Sequence, residues 1–181
     1  MTLQPMTTAA LLYAVVSWRF AGGQDALVYF LISFAFISGG PAFLILSLAH
    51  WKVISDSDLT DRRERSLPYF ILVGMYLVSF GLYRFFGAPT PLLGITASYV
   101  LVTLTGAMIS FIWKISMHLA GIAGPVTALV VYVHPLFALG YLLLLPVGWA
   151  RLTLRKHTLS QVVCGSLYSA ILTLAITVFL F

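Results

Sequence analysis

The chain has 181 residues, of which 61% are hydrophobic and 8% charged, with ten Lys and Arg against five Asp and Glu. The mean hydropathy is +1.03. Soluble domains carry about a quarter charged residues and roughly half apolar ones, so this composition excludes a soluble globular enzyme, a disordered chain and a nucleic-acid binder. The isoelectric point near 9.6 then reflects cations flanking membrane spans.

A helix needs roughly 20 apolar residues to cross the hydrocarbon core. At about 25 residues per span and loop, the length predicts an all-α integral membrane protein. We expect a bundle of six or seven transmembrane helices forming a single domain over residues 1–181. Met1–Pro5 lacks the basic region of a cleavable signal peptide, so none is expected. Thr7–Phe20 is the first apolar stretch, with Arg19 at its far end, and Ala21–Asp25 reads as a turn through Gly22 and Gly23. Ala26–His50 is long enough to span, with Gly39, Gly40 and Pro41 predicting a kink past its middle. Trp51–Leu67 is the one long polar loop and holds four of the five acids. Pro68–Phe86 spans again, Gly87–Pro91 reverses the chain, and Leu92–Trp113 returns.

Hydropathy alone reads Leu119–Pro146 as one long helix or as two. His134–Pro135 favours two, because proline removes a backbone donor and disfavours helix at the preceding residue. Ile115–Val133 and Leu136–Ala150 are therefore read as separate spans, followed by Thr158–Phe181. With that break, Lys52, Arg62, Arg63, Arg65, Lys114, Arg151, Arg155 and Lys156 share one face, leaving Arg19 and Arg84 on the other. The positive-inside rule makes the crowded face cytoplasmic. Cys164, the single cysteine, lies in an apolar run and is expected to be a buried small hydrophobe.

Three polar segments converge on that face, at about 52–68, 114–118 and 151–161. They offer fixed cations, hydroxyl and amide groups, and the two imidazoles of His118 and His157. That inventory suits a phosphate. Arginine forks bind its oxygens bidentately, lysine adds a point charge, and one imidazole attacks phosphorus while another donates a proton. Lys114 and His118 are four residues apart and share a helix face if the fifth span begins there. His157 and Gln161 are also four apart, so the Gln161 oxygen can accept from one ring nitrogen and leave the other free to attack.

Arg151-x5-His157-x3-Gln161 resembles the third motif, S-R-x5-H-x3-D, of the type 2 phosphatidic acid phosphatase superfamily. Lys114-Ile-Ser116-Met-His118 is similar to its second motif, P-S-G-H, and Arg62-Arg63-Glu-Arg65-Ser-Leu-Pro68 is a loose counterpart of the first, K-x6-R-P. The resemblance covers roughly Lys52 to the C-terminus. It implies a metal-independent membrane phosphatase, with no cofactor, that acts on an isoprenyl or glycerol lipid phosphate or diphosphate through a phosphohistidine. The catalytic candidates are His157 as nucleophile, His118 as general acid and Gln161 as orienting partner. Arg151, Ser116, Lys114, Arg62, Arg63 and Arg65 would hold the phosphoryl oxygens. Gln161 stands where the family has a carboxylate, so the hydrogen bond is kept and its charge is not. Ala150, Ile115 and Met117 replace the family's Ser, Pro and Gly.

Other readings weigh against this one. Arg155 and Lys156 read as snorkelling span-end anchors. Asp56, Asp58, Asp61 and Glu64 are expected to pair with Arg62, Arg63 and Arg65 rather than to bind Mg²⁺. A membrane prenyltransferase needs a second Asp-rich motif, and no acid follows Glu64. A transporter would place polar groups at mid-membrane. The expected partners are a lipid phosphate and the surrounding membrane lipids, with no nucleic acid and no metal. The rival class is a catalytically silent lipid-head-group-binding or assembly subunit on the same fold.

Overall fold

The structure, a computed structural model, describes residues 5–181, and it is helical with no strands among them. The first four residues, on which the signal-peptide expectation partly rests, lie outside the described residues.

Seven helical segments run back and forth. They are α1 (Pro5–Phe20); α2 (Gly23–Ser33) continued by α3 (Gly39–His50); α4 (Ser66–Phe85); α5 (Thr90–Ser110); α6 (Met117–Tyr132); a 3-10 stretch (Pro135–Leu143) leading into α7 (Leu144–Thr153); and α8 (Leu159–Phe179). Five of them are long and apolar enough to cross a membrane, while α1 and α6, at 16 residues each, rise about 24 Å. Large apolar side chains face outward along the helices, such as Phe43 at 74% and Ile171 at 64% exposure. A soluble monomer does not carry that much exposed apolar surface. The chain is a multi-pass integral membrane protein.

Each boundary has a local cause. Between α1 and α2 the turn is tighter than the predicted Ala21–Asp25, because Gly22 and Gly23 take positive φ and helix resumes at once. Asp25 then falls in the first turn of α2, where it suits the helix dipole. The kink between α2 and α3 lies upstream of Pro41, as a π turn over Phe34–Ser38. Proline at 41 disrupts the helical ladder behind it, and the widened turn absorbs the mismatch. Gly40 allows it, since a Cβ there would sit 1.8 Å from the Ala35 carbonyl oxygen.

The break at His134–Pro135 is present. The His134 ring Nδ1 accepts from the Leu136 N–H at 3.1 Å and caps the 3-10 stretch. That stretch replaces the first part of the predicted Leu136–Ala150 helix.

Lipid gives helices no hydrophobic reason to associate, so close packing and hydrogen bonds hold them together. Small residues let α6 and α8 approach, and the Ser169 hydroxyl donates to the Ala120 carbonyl at 2.9 Å. Tyr13 on α1 and Thr96 on α5 share a buried hydrogen bond of 2.7 Å, and the Tyr168 hydroxyl donates to the Val102 carbonyl at 2.8 Å. Cys164 is exposed on the outer side of α8, contrary to its expected burial.

Candidate functional site

Three connections meet at one end of the bundle: the 51–65 loop, the 111–116 link and the 154–158 link. The first is shaped by its own acids. The Asp56 carboxylate accepts from the N–H groups of Asp58 and Thr60 at 2.8 and 3.2 Å, making a tight turn. Leu59, at positive φ, buries its side chain as the anchor of that turn. Arg65, 2% exposed, clamps the loop through its Nε to the Leu59 carbonyl (2.8 Å) and its Nη1 to the Ile115 carbonyl (2.9 Å). Asp58 is thereby turned inward.

Its carboxylate is the hub of the cluster. Oδ2 accepts from Arg151 Nη1 at 2.9 Å and from Lys156 Nζ at 2.5 Å, while Oδ1 lies 3.5 Å from His118 Nε2. The His118 imidazole and then Lys156 and Arg151 hold the Asp58 carboxyl well below the usual carboxylate range. Arg151 is 1% exposed and His118 is buried. The expected pairing of the loop acids with Arg62, Arg63 and Arg65 is therefore not what forms. Among the described residues Glu64 bonds Ser55 instead, Asp56 and Asp61 cap loop backbone, and Asp58 reaches across to α6 and α7. Lys156, read from sequence as an anchor, belongs to the cluster, whereas Arg155 is exposed.

The third connection places His157. After α7 ends, Arg155 adopts φ 52° and the N–H groups of Lys156 and His157 fold back onto the Arg151 carbonyl at 3.1 and 3.3 Å. This is the left-handed helix ending that glycine usually supplies. Thr158 then caps α8 in a reciprocal capping box with Gln161, whose Oε1 accepts from the Thr158 N–H at 3.1 Å. The same oxygen lies 3.1 Å from His157 Nδ1. Because that oxygen can only accept, Nδ1 carries the proton and Nε2 keeps its lone pair. Burial, then the positive charges of Arg65 and Lys114, push the His157 imidazole down to about 4. It is neutral at pH 7.

The remaining predicted residues divide. Ser116 is buried at the start of α6, and its hydroxyl has no partner among the described residues. Lys114 is half-buried, and burial followed by the charge of Arg65 lowers its pKa. Arg62 and Arg63 do not join the cluster. Arg62 is exposed and donates to the Phe111 carbonyl at 3.0 Å, and the Arg63 side chain is exposed. Sequence reasoning missed Asp58 and Lys156 as site residues. The available signal was scarcity: four acids lie in this one loop and no acid follows Glu64, so the cations at 151–156 have nowhere else to find a carboxylate.

Backbone contacts fix the frame. The Ser116 N–H donates to the Gln161 carbonyl at 3.2 Å, and Gly165 packs on the Ser116 backbone. A Cβ at Gly165 would lie 2.5 Å from the Ser116 carbonyl oxygen. Gly165→Ala is expected to lower unfolding stability by about 1–3 kcal/mol, measured by thermal unfolding of purified protein. Gly74→Ala, whose Cβ meets open space, should leave it unchanged or slightly higher.

Comparison with protein-family models, with characterised proteins and with solved structures finds no match.

Proposed function

We propose that this protein is a membrane-integral phosphohydrolase acting on the phosphate or diphosphate of an isoprenyl or glycerol lipid, as its motifs' resemblance to the type 2 phosphatidic acid phosphatases implies. The observation that carries the reading is the neutral His157 with its free Nε2, held by Gln161 beside the charges of Arg65 and Lys114. In the proposed reaction His157 Nε2 attacks phosphorus and the bond to the leaving oxygen breaks. Protonated His118 gives that oxygen its proton. Water then attacks the phosphohistidine, returning its proton to His118 and releasing inorganic phosphate. Lys114 and the Ser116 hydroxyl would donate to the phosphoryl oxygens, joined by Arg151 and Lys156 as the phosphate takes the place of Asp58 Oδ2. No step requires a metal.

Positive-inside bias assigns this face to the cytoplasm. Phosphate release from a panel of isoprenyl and glycerol lipid phosphates should therefore resist EDTA. With a soluble short-chain substrate it should appear in inside-out vesicles and not in sealed right-side-out ones. EDTA-sensitive release, or none from any substrate, would sink the reading.

The acidic limb of kcat/KM gives a second check. Attack needs neutral His157, so the limb should lie near pH 4 rather than near the usual histidine value of about 6.5. Lys114→Met removes a charge that disfavours the imidazolium, so the limb should move to higher pH. A limb already near 6.5 and unmoved by this change would exclude His157 as the nucleophile.

One observation favours the silent-binder alternative. The donors of Arg151 and Lys156 already point at Asp58 Oδ2, which serves as an internal counter-ion in the place of a bound anion. Lipid phosphate that binds without turnover would establish that reading.

A further inference from the structure

The polar cluster stands at the depth of the bilayer phosphates. Trp51, Trp113 and Trp149, three of the chain's four tryptophans, are exposed at this end of the bundle. Tryptophan settles at the headgroup level of a membrane. Trp113 adjoins Lys114, and Trp149 lies two residues before Arg151. Most phosphates at that level belong to bilayer phospholipids, which are diesters. An arginine fork and a lysine ammonium bind phosphate oxygens whether the phosphorus carries one ester or two. Left open, such a site is filled by the membrane itself.

Asp58 keeps it closed. Among the described residues this carboxylate makes every ion pair, through Oδ2 with Arg151 Nη1 at 2.9 Å and Lys156 Nζ at 2.5 Å, and through Oδ1 with His118 Nε2 at 3.5 Å. Oδ2 thus stands on the two donors that a phosphoryl oxygen needs. It can also leave. Arg151 is buried, whereas one-fifth of the Asp58 side chain reaches water. The hydrogen bonds that hold its turn run to the Asp56 carboxylate and the Leu59 carbonyl. Rotation of one side chain therefore frees both donors and leaves the turn in place.

We propose that Asp58 is a specificity-determining residue, an internal competitor that sets the affinity an anion must exceed to reach Arg151 and Lys156. Phospholipid diesters fall below that threshold, and phosphomonoesters and diphosphates pass it. This rests on the phosphohydrolase reading, which gives those donors to the phosphoryl oxygens, and adds how the substrate is chosen from the surrounding lipid. The competition weakens every anion by one factor, set by the fraction of time the carboxylate is turned away. A diester carries one negative charge, no more than the carboxylate it must replace. A monoester carries close to two above about pH 7, and the second charge strengthens its attraction to the cations.

The test compares wild type with Asp58→Asn and Asp58→Ala in detergent, using methyl phosphate and dimethyl phosphate at about pH 8 and calorimetry. Both variants should bind methyl phosphate at least about tenfold more tightly than wild type. Dimethyl phosphate should bind measurably to the variants and not to wild type. In nanodiscs of phosphatidylglycerol, a monoanionic diester, the variants' advantage for methyl phosphate should shrink towards none, because lipid then fills their site. A measurement on wild type alone covers the case of a variant that misfolds. The chain has four aspartates, so ¹³C-labelled Asp carboxyls give four NMR signals. The Asp58 signal, recognised as the carboxyl that stays ionised to the lowest pH, should move on saturation with methyl phosphate while that of Asp25 stays. Equal affinity in all three proteins, an advantage unchanged in phosphatidylglycerol, or an unmoved Asp58 signal would overturn the proposal. Tighter binding by the variants without phosphate release from any substrate would keep the competitor and remove the enzyme. Release with equal affinities would do the reverse.

Discussion

Asp58→Asn is expected to lower unfolding stability by about 3 kcal/mol, the largest loss of any single change at the site. The carboxylate is one-fifth exposed, but it faces a guanidinium that is 1% exposed and a lysine ammonium at 2.5 Å. Removing one partner of a buried ion pair costs about 3–5 kcal/mol, because the other charge keeps its desolvation penalty without its counter-charge. The partial exposure of Asp58 puts the value at the lower end. Asp58 is ionised far below its unfolded pKa, so its contribution is present above about pH 4 and is lost only as pH falls through the lower, folded value. The difference between wild type and Asp58→Asn should therefore stay constant from pH 7 to about pH 5 in denaturant or thermal unfolding. A loss under about 0.5 kcal/mol would mean that the cluster behaves like an exposed surface ion pair.

His157→Ala should reduce phosphate release by at least about 10⁴-fold while leaving the fold within about 1 kcal/mol of wild type. A nucleophile in a covalent mechanism has no substitute in its site, and removing one elsewhere has reduced turnover by about 10⁶-fold. Structurally His157 gives up little: it is half-buried and makes one side-chain hydrogen bond, to Gln161. The two numbers must be measured on one preparation, release on a lipid phosphate and unfolding by heat. A fall of only tenfold would make His157 a binding group, and acid-labile phosphate trapped on wild type but absent from His157→Ala would identify the covalent intermediate.

The span order was legible because Gly22–Gly23, Gly87–Pro91 and His134–Pro135 punctuate a chain that is otherwise apolar. The His157–Gln161 bond was legible because the two residues are only four apart, spanning the cap of α8, so their contact is a local property. Asp58 was not. Sequence proximity favours the arginines at 62, 63 and 65, whereas the turn built by Asp56 and Leu59 sends the carboxylate to partners 93 and 98 residues away. Exposure of Cys164 was equally unreadable, since in a membrane bundle the side facing lipid and the side facing protein are both apolar and no periodicity separates them. The 3-10 character of Pro135–Leu143 likewise has no compositional signature apart from the proline at its start.

One oxygen atom, Gln161 Oε1, is at once the far half of a helix cap and the anchor of the His157 ring. A substitution that removes this oxygen takes away both bonds, so the ring's orientation and the start of α8 are lost together. Glutamate satisfies the same cap and is a single nucleotide away from glutamine. A carboxylate can therefore be set beside the His157 ring at no cost to the helix, because the same atom position serves fold and site alike.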